Sequence, residues 1–220
     1  VRMALMANAL QFVDSFRFEV GVTPLTSPDV HFGMVAVYLV SVWANLAWMR
    51  DRKPMGLKYL FLVHNLILSL FSLLLLVSLV SVVFPYVAQN GLYKGICSWD
   101  LYNINRLHFL FYVNYLGKIY ELLDTHFIIL RGRSPDFLQV YHHAATMFLT
   151  WVQLVHWSSV QWVPITANLA VHVVMYWYYS LTTLGYRPWW KMAVTVIQLV
   201  QFVVDIVAIF YASNYVYSGC

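Results

Sequence analysis

Residues 107–130 read LHFLFYVNYLGKIYELLDTHFIIL, an apolar run of helix length that also carries ionisable side chains. These side chains are Lys118, Glu121, Asp124 and His126. One charged side chain facing lipid at the middle of a helix costs about 3 kcal/mol on insertion scales. Several in one span would oppose insertion, so we expect them to face a protein interior or a wet cavity. Lys118, Glu121 and Thr125 lie within about 60° on a helix, with Asp124 on the adjoining flank. A structural ion pair between Lys118 and Glu121 is the simpler alternative.

The composition of the whole chain agrees with a membrane protein. Of its 220 residues, 61% are hydrophobic and 10% are charged, whereas soluble domains carry about 25% charged residues. A chain of this size cannot bury so much apolar surface in one aqueous core, so we expect the lipid bilayer to be its main partner. The net charge of +4 comes from short scattered basic clusters, so no nucleic-acid partner is expected.

Six segments are long and apolar enough to be transmembrane helices. They are Val30–Met49, Tyr59–Phe84, Leu107–Leu130, Phe137–Val155, Val160–Leu184 and Trp190–Tyr211. The predicted fold class is therefore all-α, a polytopic transmembrane helical bundle. We expect residues 1–29 to form a luminal or interfacial arm and residues 30–220 to form one membrane domain.

The connections between these spans differ in charge. Those after the first, third and fifth spans contain Arg and Lys, among them Arg131, Arg133, Arg187 and Lys191. The positive-inside rule places these basic loops in the cytosol. Cys97 and Cys220 then both fall on the opposite side, where disulfides can form. We predict a Cys97–Cys220 disulfide; the alternative is two unrelated thiols.

Polar stripes recur in the later spans. Span four begins with Gln139, His142 and His143, and span five carries Asn168, His172, Met175, Tyr176 and Tyr179 on one face. Span six adds Thr195, Gln198, Gln201 and Asp205, whereas spans one and two offer little beyond His64 and Asn65. We expect the stripes of spans three to six to meet at one enclosed site. For Tyr176 and Tyr179, hydrogen bonding between helices is an equally good explanation.

Four of these segments together resemble the motifs of the ELO fatty acid elongases. Lys118 to Thr125 resembles KxxExxDT, Tyr141-His142-His143 resembles the end of HxxHH, Asn168 to Tyr179 resembles NxxxHxxMYxYY, and Thr195 to Gln198 resembles TxxQ. Arg52-Lys53-Pro54 is also similar to the segment that leads into the family's second helix.

The chain departs from the family pattern in two places. Gln139 stands where HxxHH has its first His, a variant found in some polyunsaturated-fatty-acid elongases, and Gln139 cannot act as a base. The family has seven transmembrane helices, and only six are predicted here, so we expect the seventh to follow Cys220.

The resemblance implies a fold, a reaction and a location. The helices would ring an enclosed tunnel for an acyl chain in the endoplasmic reticulum membrane. The reaction would condense a long-chain acyl-CoA with malonyl-CoA to give 3-oxoacyl-CoA, CoA and CO2, without metal or organic cofactor. Homodimerisation and contact with other enzymes of the elongation cycle are further expectations.

Candidate roles follow for the residues of the site. His142 is the expected nucleophile, through an acyl-imidazole; His172 is its partner, and His143 orients its neighbours. Asn168, His172 and Gln198 could donate hydrogen bonds to the oxyanion. Lys118 could pair with Asp124 or Glu121, or hold the malonyl carboxylate. Gln139, Tyr176 and Tyr179 are further candidate substrate-binding residues. Arg131, Arg133, Arg187 and Lys191 could dock CoA phosphates, or could act only as topology signals.

Two other functions compete with this interpretation. A di-iron desaturase or hydroxylase also uses membrane histidines, but too few can converge here for two irons: His64, His126, His142, His143 and His172. A transporter or seven-helix receptor is the non-enzymatic alternative. Transporters often have helices broken at mid-span, and here Gly117 and Pro164 lie near span ends.

Overall fold

The structure, a computed structural model, describes residue 8 and residues 11–214, and in this part of the chain it contains helices and no β-strand. The main helices are α1 Pro28–Met49, α2 Lys58–Cys97, α3 Asn105–Glu121, α4 Leu123–Leu130, α5 Phe137–His156, α6 Trp162–Leu184 and α7 Lys191–Asn214. A 3₁₀ helix, Trp99–Asn103, connects α2 to α3. The predicted all-α class is confirmed.

The described chain divides into two compact units. The first unit is formed by residues within 1–17, 62–111 and 157–220, and the second by residues 18–61 and 112–156. In the first unit α6 packs against α7, and in the second α1 packs against α4 and α5. The predicted division into an arm, 1–29, and a membrane domain, 30–220, stays a prediction, as does the seventh helix.

The second predicted span is longer than the sequence indicated. Helix α2 continues past Phe84 and through Pro85, and its first non-helical residue is Gly91, with φ 85° and ψ 160°. Proline lacks only one backbone donor and is compatible with a helix that bends, whereas a positive φ is the conformation that glycine adopts most readily. The helix is therefore interrupted at Gly91 and not at Pro85.

The third predicted span is divided. α3 ends at Glu121 and α4 begins at Leu123, and between them the Leu122 amide bonds Ile119 O at 3.3 Å. Leu122 keeps right-handed helical angles, φ −57° and ψ −26°. The interruption is thus a single tightened turn of the 3₁₀ type. It lies between Glu121 and Asp124, inside the charged segment.

Three of the described helices are long and apolar enough to cross a membrane: α1, α2 and α7. The third predicted span is divided into helices of 17 and 8 residues, each too short to cross a membrane alone, and the fourth and fifth spans carry polar stripes. Together with the composition, these three helices identify a membrane protein. Spanning by the remaining helices stays a prediction.

Residues near the amino terminus contact the start of α3 within the first unit. Residues 11–15 are helical, and Asp14 forms an exposed ion pair with Arg106, whose Nε and Nη2 donate to the carboxylate at 2.9 and 3.2 Å. The rings of Phe12 and Phe16 meet Phe109 edge-on. This part of the expected arm is therefore held by specific contacts.

Two loops of the second unit meet at Gly132. The Met55 amide donates to Leu130 O at 2.9 Å, which brings Pro54 against the turn after α4. Gly132 has φ +75°, and a Cβ there would lie 2.6 Å from Pro54 Cγ. This close approach holds the basic residues Arg131 and Arg133 beside the loop that follows α1.

Gly132→Ala is expected to destabilise the protein by about 1–3 kcal/mol, because the new methyl group meets Pro54 and alanine disfavours a positive φ. Thermal unfolding in detergent would measure this as a lower Tm. Gly56→Ala is the matched control, since a Cβ at Gly56 meets nothing within 4 Å. Equal Tm values for the two variants would contradict the packing described here.

Candidate functional site

Lys118 and Glu121 form a buried ion pair on α3. Lys118 Nζ donates to both carboxylate oxygens of Glu121, at 3.0 Å and 2.9 Å. Each side chain is 5% exposed, so little water screens the pair. The pairing of Lys118 with Glu121, one of those left open by the sequence, is present in the structure. The prediction that this helix face lies toward a protein interior is also confirmed, since Thr125 is fully buried.

Asp124, Gln139 and His143 come together in the second unit. Gln139 and His143 lie one turn apart on α5, with the amide nitrogen 2.8 Å from His143 Nε2. Asp124 Oδ2, at the start of α4, is 3.9 Å from the same ring nitrogen. The side chains of His143 and Asp124 are 7% and 13% exposed. An acid and an imidazole that are largely buried thus share a site with the half-buried amide of Gln139.

His142 lies beside this group but points in another direction. The two histidine rings are 5.9 Å apart at an interplanar angle of 72°, as expected for adjacent helical residues. His142 is half-buried, whereas His143 is buried. The more accessible imidazole is therefore the one for which the sequence predicts the nucleophilic role.

Helix α1 contributes a polar stripe that the sequence analysis missed. Tyr38 bonds the Thr125 hydroxyl at 2.8 Å, and Asn45 Nδ2 lies 2.8 Å from His126 Nδ1. Ser41 Oγ is 3.3 Å from His126 Nε2 and donates its own proton to Tyr38 O. The expectation that span one carries little polarity is wrong. The spacing of Tyr38, Ser41 and Asn45 at i, i+3 and i+7 could have revealed this face.

These contacts define the protonation of His126. The Asn45 amide nitrogen can only donate, so Nδ1 of His126 accepts and its proton is on Nε2. That proton faces Ser41 Oγ, which accepts because its hydrogen is used elsewhere. Both ring nitrogens are satisfied by α1. His126 therefore fastens α4 to α1 in a structural role, next to Asp124.

The first unit holds the other predicted site residues. On α6, Asn168 Nδ2 lies 3.2 Å from His172 Nε2, and the His172 ring meets Tyr176 edge-on with centroids 5.2 Å apart. His172 and Tyr176 are 5% and 1% exposed, while Tyr179 is 37% exposed. The predicted stripe of α6 therefore faces inward at His172 and Tyr176 and is more open at Tyr179.

Helix α7 makes a polar contact with this face. Gln198 Nε2 donates to Met175 Sδ at 3.4 Å, joining α7 to the predicted stripe of α6. Gln201 donates to Asp205 at 3.2 Å within α7, whereas Thr195 is exposed. The predicted stripe of span six is therefore only partly directed inward.

Each predicted basic residue lies at or near the end of a helix. The Arg131 guanidinium stacks over Phe61 at 4.3 Å; burial, and then the charge of Arg133, lower the pKa of Arg131, although a guanidinium keeps its proton. Arg133, Arg187 and Lys191 are exposed. These four residues are divided between the two units.

Cys97 is 4% exposed in a cluster with Ile96, Val160 and Ala208, against which Tyr211 and Ala212 pack. Its neighbours therefore include the carboxyl end of α7. Cys220 lies outside the described residues, so the Cys97–Cys220 disulfide stays a prediction.

The predicted site residues are thus assembled as two groups. Lys118, Glu121, Asp124, Gln139, His142 and His143 belong to the second unit, and Asn168, His172, Tyr176, Tyr179 and Gln198 to the first. Their convergence on one tunnel stays a prediction. Within either unit, the described residues include no group of three or more His, Cys, Asp or Glu placed to hold a metal ion.

Comparison with known proteins connects these groups to a family. A profile of the ELO (GNS1/SUR4) family matches residues 23–220. A protein of Schizosaccharomyces pombe is 39% identical over 198 residues, which are 90% of this chain and 59% of that protein. "Fatty acid elongase A" of Dictyostelium discoideum is 38% identical over 195 residues, 88% of this chain and 70% of its own. "Very long chain fatty acid elongase 5" of Rattus norvegicus is 36% identical over 184 residues, which are 78% of this chain and 59% of that protein.

The chain thus spans between 59% and 70% of the lengths of these three relatives. The family match begins before α1 and includes all seven main helices, together with both groups of predicted site residues. The chain therefore belongs to the ELO (GNS1/SUR4) family.

Proposed function

We propose that this membrane protein is a fatty acid elongase, a 3-oxoacyl-CoA synthase. Its substrates would be a long-chain acyl-CoA and malonyl-CoA, and its products a 3-oxoacyl-CoA two carbons longer, CoA and CO2. Membership of the ELO family and the names of the relatives from Dictyostelium discoideum and Rattus norvegicus support this reaction class. The observation that carries the proposal is the group of Asp124, Gln139 and His143, in which the acid and the imidazole are largely buried, beside the half-buried His142.

The first half-reaction places the acyl group on His142. A ring nitrogen attacks the thioester carbonyl, an N–C bond forms, the C–S bond breaks, and the thiolate leaves as CoA and takes up a proton. Splitting the reaction in this way replaces one difficult step with two easier ones. Neither cysteine is close in sequence to the polar segments, which favours an imidazole as the nucleophile.

In the second half-reaction malonyl-CoA loses CO2. The electron pair of the broken C–C bond becomes an enolate, whose carbon attacks the acyl carbonyl. The N–C bond to His142 then breaks, its electron pair returns to the ring, the imidazole regains a proton from solvent, and 3-oxoacyl-CoA is released. Negative charge develops on oxygen at each attack, where hydrogen-bond donors stabilise it. His172, Asn168 and Gln198 would supply these donors, while Tyr176 and Tyr179 would contact substrate.

The remaining assignments concern substrate access and location. Arg131, Arg133, Arg187 and Lys191 would bind the CoA phosphates at the cytosolic end of an acyl tunnel. Lys118 and Glu121 would hold the shape and charge of the site through their mutual ion pair. The protein would lie in the endoplasmic reticulum membrane with its basic loops in the cytosol, as a homodimer and near other elongation-cycle enzymes. The reaction would use no metal or organic cofactor.

The test is malonyl-dependent product formation by purified protein in detergent or liposomes. Acyl-CoA and malonyl-CoA labelled at the free carboxylate should give labelled CO2 and a 3-oxoacyl-CoA in equal amounts. Incubation with acyl-CoA alone should add one acyl mass to the intact protein. Saturated and polyunsaturated acyl-CoAs tested in parallel would show which class is preferred. Absence of CO2 release and of product would refute the proposal.

A further inference from the structure

Gln139 occupies the position of the first His in the motif that this chain resembles, and the structure shows what the amide does there. Its Nε2 lies 2.8 Å from His143 Nε2, one turn along α5. An amide nitrogen has hydrogens to donate and no lone pair to offer. His143 Nε2 is therefore the acceptor, and a neutral imidazole that accepts at Nε2 carries its proton on Nδ1.

Asp124 is the competing partner for the same ring nitrogen. A proton on Nε2 would be attracted to its carboxylate, but Asp124 Oδ2 is 3.9 Å away. This distance lies beyond hydrogen-bond range, whereas 2.8 Å is an ordinary hydrogen bond. The nearer contact determines where the proton resides, and His143 is 7% exposed, so few waters can compete for its ring nitrogen.

We propose that Gln139 is a positioning residue that fixes the tautomer of His143, so that His143 acts in the condensation as a hydrogen-bond donor through Nδ1. The lone pair of Nε2 is occupied, which removes His143 as a base at that nitrogen. This inference rests on the proposed function for its catalytic consequence, although the tautomer itself can be tested without it. It replaces the expectation that Gln139 binds substrate.

The chemistry of glutamine suits this task. Its amide cannot gain or lose a proton near neutral pH, so in the observed orientation Nε2 always has a hydrogen to donate to His143. A glutamate of the same length would reverse the contact, because an ionised carboxylate only accepts and would draw the proton to Nε2. A methionine of similar length would neither donate a hydrogen bond to His143 Nε2 nor draw a proton to it.

These differences define three variants. Gln139→Met is expected to lower kcat for 3-oxoacyl-CoA formation roughly tenfold, with little change in KM for acyl-CoA, because one hydrogen bond that orients a site residue is lost. Gln139→Glu is expected to be at least as slow. Gln139→His, whose ring N–H can donate, should keep the rate within about threefold of the parent protein. Gln153→Met, a half-buried glutamine on the same helix, is the matched control and should leave kcat unchanged.

Histidine-selective ¹⁵N NMR reads the tautomer directly, with the His143 signals assigned by their loss in His143→Asn. The parent protein should show the pattern of a neutral ring protonated at Nδ1, and Gln139→Glu the pattern of a ring protonated at Nε2. An Nε2-protonated ring in the parent protein would overturn the inference, as would full activity of Gln139→Met or a faster rate for Gln139→Glu than for Gln139→Met. If the parent protein makes no product, the proposed function fails, while the NMR result still decides the tautomer.

Discussion

His142→Ala is expected to abolish the acyl adduct and to slow elongation by roughly 1,000-fold or more, the scale seen when a covalent nucleophile is removed. Alanine cannot form the acyl-imidazole, so no covalent acyl-enzyme intermediate can hold the acyl group after CoA leaves. The fold should persist: His142 is half-buried, and its carbonyl still accepts from the Thr146 hydroxyl, a contact that does not involve the ring. Intact-mass spectrometry and product analysis on the same sample would measure both effects.

His156→Ala is the matched control for that variant. His156 is an exposed histidine at the opposite end of α5, so its loss should change neither the adduct nor the rate. Comparable Tm values for both variants would show that the helix is intact. A His142→Ala protein that elongates at the parent rate would eliminate the imidazole mechanism and leave the family assignment untouched.

Lys118→Met is expected to have the largest effect on stability. It leaves the buried Glu121 carboxylate without its ammonium partner, and breaking a buried pair in this way typically costs 3–5 kcal/mol. The free energy of unfolding in detergent, or the Tm where unfolding is irreversible, would report this loss. Arg106→Ala is the comparison, because the Arg106–Asp14 pair is exposed and such pairs contribute about 1 kcal/mol or less.

The double variant Lys118→Met with Glu121→Leu separates charge from packing. Removing both charges eliminates the buried carboxylate that Lys118→Met leaves without this ammonium, so most of the stability lost by Lys118→Met should return. If Lys118→Met costs no more than Arg106→Ala, the carboxylate must be solvated or protonated, and the pair would not be the dry contact described here.

Sequence patterns predicted the helices and their buried charged residues, because both depend on the residue types found along a segment of about 20 residues. The run from Leu107 to Leu130 predicted a helix with buried charges, and Lys118 and Glu121 are indeed buried on α3. The contacts of Tyr38, Ser41 and Asn45 were missed because these residues are uncharged. The free-energy cost of placing them in a membrane is smaller than for a charged side chain, so they do not stand out in the sequence. Their partners, Thr125 and His126, lie more than 80 residues away, a separation that a single sequence does not encode visibly.

Local irregularities were also beyond the sequence patterns. The tightened turn at Leu122 falls within an apolar pair, Leu122-Leu123, that reads as uninterrupted helix. The second predicted span ended at Phe84, yet α2 passes through Pro85 and is broken at Gly91 instead. For the candidate site, the sequence identified both His143 and Gln139 but gave no reason to join them. Their contact depends on side-chain rotamers one turn apart, which periodicity does not predict.

The length of α2 has a consequence for the lipid around it. Its apolar part, from Leu60 to Phe84, is roughly 37 Å long at 1.5 Å per residue, against a hydrocarbon core of about 30 Å. Such a positive hydrophobic mismatch is relieved when the helix leans or when nearby acyl chains stretch. Because Ser69 on this helix donates to Val173 O on α6, a lean of α2 would be transmitted to the helix that carries His172. In bilayers of different thickness, a different lean of α2 would therefore act on α6 through this hydrogen bond.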